Sequence, residues 1–120
     1  KKLEEPSQIV VTSSVLGNRA TTQAAAYCAS KFAVNGMVLS LRQDLRSAHP
    51  RIKVGLVCPA AIATPWWDEP ARSGAFKATP KPTALLSADA VAEACISLVE
   101  QPPSSNIEQL NLEAVEGSGV

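Results

Sequence analysis

Apolar positions fall into three short runs separated by two stretches with a helical rhythm. Ile9 to Val11, inside QIVVTSS, is continuously apolar between polar and turn residues, as in a strand covered on both faces. IKVGLVCP, Ile52 to Pro59, is a second such run, rich in β-branched residues and stopped by its proline. IEQLNLEAV, with Ile107, Leu110 and Leu112, alternates well enough for a third strand. Between the first two, Gly17 and Asn18 open a loop, and no proline interrupts the chain from about Thr22 to Ala48. With only Gly36 to weaken it, that stretch predicts a long helix, ended by His49 ahead of Pro50. At 100° per residue, Tyr27, Lys31, Val34, Val38, Leu41 and Leu45 form one stripe. Ala25, Cys28, Phe32, Gly36 and Leu39 form another on nearly the opposite side, so the helix needs two partners. Ser87 as N-cap, Asp89 in the first turn and Pro102–Pro103 after the end mark a second helix. Residues 60–86 hold Pro65, Pro70, Pro80, Pro82 and Gly74, too much punctuation for a long element, and Trp66 and Trp67 stand there side by side. The order strand, helix, strand, loop, helix, strand predicts an α/β fold with a parallel sheet and crossover helices.

Composition narrows the function classes. The 120 residues are of single-domain size, and 46% apolar with 18% charged residues describes a globular chain. Eleven basic and eleven acidic residues balance without a basic block, which argues against a nucleic-acid footprint or an anionic-membrane binder. No apolar run approaches the roughly 20 residues of a membrane span. Three widely spaced cysteines, Cys28, Cys58 and Cys95, argue against a disulfide framework and against a zinc site, and point to reduced thiols in the cytoplasm. KKLEEPSQ lacks the apolar core of a signal peptide and reads as the tail of a helix before a turn at Pro6, so the chain is expected to begin partway through a larger fold. Residues 114–120 read as a flexible tail.

Tyr27 and Lys31 in YCASK are four residues apart, so a phenol and an ammonium share one helix face. Proton transfer near neutrality asks of a phenol, which ordinarily titrates near 10, a shift of roughly three units, about 4 kcal/mol. A unit charge ~4 Å away supplies about 1 kcal/mol in bulk water and about 4 at an effective dielectric near 20. Such a pair therefore works as acid and base only in a partly desolvated cleft. Ser14 closes the first strand at the edge where parallel sheets hold ligands, and CPAAIAT at the end of the second strand flanks the same crevice.

IVVTSSVLG, YCASK and VCPAAIATPW together resemble the short-chain dehydrogenase/reductase family. The family's Tyr-x-x-x-Lys falls on Tyr27 and Lys31, and its serine on Ser14, 13 residues ahead of the tyrosine; the match extends over roughly residues 1–113. The resemblance implies the C-terminal half of a Rossmann-like doubly wound sheet. It also implies an oxidoreductase that interconverts an alcohol and a carbonyl with NAD or NADP. Tyr27 would exchange a proton with the reacting oxygen, Lys31 would favour the phenolate and hold the nicotinamide ribose, and Ser14 would polarise the carbonyl. Pro59, Ile62 and Thr64 match the segment that holds the nicotinamide end of the cofactor. Residues 65–86, with Trp66 and Trp67, would be the substrate loop, although two tryptophans there could equally anchor the loop's own packing. The second stripe of the 22–48 helix would join a neighbouring subunit's helix in a homo-oligomer, the alternative being a helix of the same chain.

Two departures from the family pattern stand out. Ala60 follows Pro59 where the family usually has Pro-Gly, and neither the Gly-rich turn nor the Asn-Asn-Ala-Gly segment occurs in these residues. The 120 residues alone are therefore expected to bind a nicotinamide cofactor negligibly, and the choice between NAD and NADP is not written in them. The competing reading is an inactive product that persists as an interaction module.

Overall fold

The middle apolar run becomes the middle strand. The computed structural model describes residues 6–68 and 81–115. Its elements are β1 (Ser7–Thr12), a 3-10 turn at Val15–Gly17, α1 (Ala25–Ala48), β2 (Ile52–Pro59), a 3-10 turn at Pro65–Trp67, α2 (Ala88–Glu100) and β3 (Gln109–Leu112). The three strands form one parallel sheet in the order β1-β2-β3, with Val10 opposite Gly55 and Val57 opposite Leu110. Side chains of β2 alternate between two cores. Val54, Leu56 and Cys58 pack with Val38, and Leu41 and Leu45 of α1 close over them. Val57 faces the other way, into a cluster with Leu86 and with Val91 and Leu98 of α2. Strand–helix alternation thus covers the sheet on both faces, the reason its central strand could be a continuous apolar run. At Gly55 a Cβ would stand 2.9 Å from Leu98 Cδ1 and 3.1 Å from the Ile107 carbonyl oxygen, so the missing side chain lets α2 close on the sheet.

Helix α1 starts at Ala25, three residues later than the sequence pattern predicts. Gln23 has φ 56, in the left-handed region, which no helix continues through. The start is fixed by packing and not by a polar cap: Ala24, 1% exposed, sits against Cys28, Leu16 and Tyr27. Helix α2 begins as its sequence predicts, with Ser87 Oγ accepting from the Ala90 N–H at 3.1 Å. Gln101 ends it. The Gln101 amide donates to the Leu98 carbonyl at 2.8 Å, and its Oε1 accepts from the Ile107 N–H at 2.6 Å. That bond holds Ile107 outside the ladder, so β3 pairs from Gln109 rather than from Ile107.

Two polar residues lie on the sheet-facing side of α1, which the stripe of apolar residues does not anticipate. Asn35 and Arg42 are both buried. Arg42 donates from Nε to the Val54 carbonyl at 3.2 Å and from an Nη to the Glu108 carbonyl at 2.7 Å, bracing β2 to β3. On the second stripe, Cys28 is buried while Phe32 and Leu39 are 48% and 54% exposed, so only part of that stripe faces outward. His49 is exposed. No helix among the described residues is long and apolar enough to cross a membrane. Most of the expected substrate loop, residues 69–80, and 116–120 of the expected tail lie outside the described residues.

Candidate active site

Parallel strands end on one edge, so whatever follows β1, β2 and β3 gathers there. A cleft of about 780 Å³ opens at this edge. Ser14, Tyr27, Pro59, Ile62, Thr64, Trp66 and Trp67 all line it, so seven of the eight residues singled out from the sequence share one wall. Lys31 is the exception. It lies one turn further along α1, half-buried, with Nζ 5.5 Å from the centroid of the Tyr27 ring.

Ser14 is held by its backbone role. In extended geometry it caps the 3-10 turn, and its buried Oγ accepts from the Leu16 N–H at 3.1 Å. That bond takes an acceptor lone pair and leaves the hydroxyl proton to donate. Ile62 forms a parallel bridge with Leu86, in which Ala63 N–H and Leu86 N–H make the bonds. The N–H and C=O of Ile62 itself therefore point away from Leu86. Trp67 Nε1 donates to that C=O at 2.9 Å, and the Trp66 and Trp67 rings meet edge to face with centroids 4.7 Å apart. Each tryptophan is thus both a packing anchor of its loop and a face of the cleft.

A set of carboxamides beside the cleft went unnoticed in the sequence. Asn35 Nδ2 and Gln109 Nε2 donate to Asn18 Oδ1 at 3.0 and 3.1 Å, and Asn18 Nδ2 donates to Asn111 Oδ1 at 3.1 Å. These bonds tie the loop after Ser14 to α1 and β3. The available signal was Asn35 itself, four residues beyond Lys31 on the same face. The Arg19–Glu113 ion pair makes a second tie between loop and β3 end, and the hydrogen bond to Glu113 pushes the Arg19 guanidinium up, further into its charged range. Burial pushes the Cys58 thiol up as well, against the opposing hydrogen bonds from Asn18 and Asn35, so Cys58 is a neutral core residue and no nucleophile.

Gly17 is where this arrangement is tightest: a Cβ there would lie 2.5 Å from Asn35 Nδ2. Gly17→Ala is expected to displace Asn35 and cost about 1–3 kcal/mol, read as a lower urea midpoint. An unchanged midpoint would show that the loop is not braced through Asn35.

The chain matches the family model described as short chain dehydrogenase over residues 3–73. It is 30% identical over 117 residues to farnesol dehydrogenase of Aedes aegypti, covering 96% of this chain and 45% of that protein. An uncharacterized oxidoreductase of Escherichia coli, YbbO, is 44% identical over 61 residues, 51% of this chain and 22% of its own length. Among solved structures, an alcohol dehydrogenase of Thermococcus sibiricus complexed with 5-hydroxy-NADP superposes with a TM-score of 0.70 at 22% identity, over 94% of this chain and 44% of that one. The 3-hydroxyacyl-CoA dehydrogenase type-2 of Mycobacterium avium does so with 0.68 at 28% identity, over 93% and 43%. The chain spans less than half the length of these relatives. A parallel sheet of this topology, a cleft at its strand ends and a family match across both strands that frame it have one reading: the chain belongs to the short-chain dehydrogenase family.

Proposed function

We propose that the protein is an oxidoreductase interconverting an alcohol and a carbonyl compound with NAD or NADP, and that Ser14, Tyr27 and Lys31 are its reacting set. The observation that carries this reading is the meeting of Ser14 and Tyr27 on one cleft, with the Lys31 ammonium over the tyrosine ring. A nicotinamide bound there supplies or accepts the hydride. Ser14, its acceptor side committed to Leu16, donates to the carbonyl oxygen. Tyr27 passes the proton of its Oη to that oxygen in reduction and takes it back in oxidation. Lys31 stabilises the negative charge that the phenol oxygen gains, in a half-buried setting where charge is poorly screened. Ile62 and Thr64 hold the nicotinamide end, Pro59 shapes the floor, and Trp66 and Trp67 keep water from the reacting carbon. Neighbours complexed with 5-hydroxy-NADP, with NADP and with NADH support either cofactor.

We also infer a cytoplasmic homo-oligomer joined through α1, whose Phe32, Met37 and Leu39 are each about half exposed. The activity is tested by mixing the full-length protein with NADH or NADPH and a small ketone and following the nicotinamide absorbance. Consumption with at least one cofactor is the expected result; none with either, across aliphatic and aromatic ketones, would overturn the reading.

A further inference from the structure

Polarity is distributed unevenly around the cleft. Among the described residues that line it, the charged ones are Arg19 and Glu113, and they neutralise each other as an ion pair. The rest of the wall is largely apolar, with Leu16, Ala60, Ala61, Ile62 and the two tryptophans prominent. Of the described charges outside that lining, Lys31 stands at the Tyr27 ring, where the proposed chemistry uses it, and Asp68 and Lys81 pair with each other at 3.2 Å. Resting on the oxidoreductase reading, we propose that the substrate is a neutral, apolar alcohol or carbonyl compound and that Glu113 is the specificity-determining residue. Glu113 acts by occupying Arg19. A carboxylate or phosphate on the substrate finds Arg19, the cation among the described lining residues, already engaged and meets a like charge beside it, and it must shed water against an apolar wall. A neutral chain loses nothing by lying on the same surface and gains the burial of its methylenes. The pair also spans from the loop after Ser14 to the end of β3, so it stands at the cleft and not on a remote surface.

The chain carries its own reporter, because Trp66 and Trp67 are its only two tryptophans and both line the cleft. Octanone and the oxo-octanoate of equal length are titrated against the protein by tryptophan emission, with turnover of both followed in the full-length protein. The expected result is tighter binding and a higher kcat/KM for octanone. In Glu113→Gln, which keeps the shape and frees Arg19, the ratio shifts toward the oxo-acid by up to about fivefold, the size of an exposed ion pair. In Arg19→Gln with Glu113→Gln the oxo-acid loses that gain. Far-UV circular dichroism shows whether each variant folds as the parent does. Equal or tighter binding of the oxo-acid by the unchanged protein, or a ratio that Glu113→Gln leaves untouched, would overturn the proposal. Turnover of both ligands without discrimination would sink the selectivity alone, whereas an absence of any turnover or emission change would sink the oxidoreductase reading with it.

Discussion

Tyr27→Phe is expected to lower turnover of the full-length protein by about a hundredfold to ten-thousandfold, the usual contribution of a positioned acid or base. The substitution is informative because of what it keeps. Phenylalanine retains the ring under Lys31 Nζ, 5.5 Å from its centroid, and the contact with Ala24 and Cys28 that starts α1. Only the phenol oxygen is removed. Cofactor affinity, measured separately, should stay nearly unchanged, since the cofactor contacts proposed at Pro59, Ile62, Thr64 and Lys31 are untouched. Parallel loss of turnover and cofactor binding would mean that Tyr27 is structural, and a rate within about threefold of the parent would remove it from the proton path.

Leu56→Ala is expected to cost about 2–5 kcal/mol of folding free energy, as a urea unfolding curve would report. Leu56 is 0% exposed and packs among Val38, Val54 and Cys58, where the central strand meets α1. Truncation removes the transfer energy of a buried side chain and leaves a cavity that the flanking strands, hydrogen-bonded on both sides of β2, cannot collapse to fill. Domains of this size have about 5–15 kcal/mol in total, so a large share of the stability goes with it. Ile9→Ala provides the contrast, because Ile9 lies on the outer strand β1 and is 40% exposed. Its loss should be well under half as large; equal losses would contradict the placement of β2 at the centre of the core.

How far the sequence could be read depended on whether a signal was local. Strand β2 and helix α2 were legible because both marks were local: an unbroken apolar run, and Ser87 with Asp89 ahead of a helical period. The crevice was legible through parallel topology alone, which puts Ser14 and Pro59 on one edge. The start of α1 was not, since Thr22 and Gln23 are acceptable helix formers and only the tertiary seat of Ala24 and the left-handed Gln23 decide against them. Asn35 and Arg42 were missed for a related reason. Their partners are carbonyls and amides on β2, β3 and the Asn18 loop, so burial becomes tolerable only once distant segments meet. The Arg19–Glu113 pair joins residues 94 positions apart, beyond any pattern of spacing.

Hydride transfer is the claim on which the site rests, and an isotope follows it directly. Full-length protein is given octanone and nicotinamide cofactor deuterated at its transferable position, and the octanol formed is analysed by mass spectrometry. One deuterium on the carbinol carbon, accumulating at least about a hundredfold more slowly when Tyr27→Phe replaces the parent, is the predicted outcome. Octanol without deuterium, or labelled octanol formed as fast by the Tyr27→Phe variant, would contradict the account.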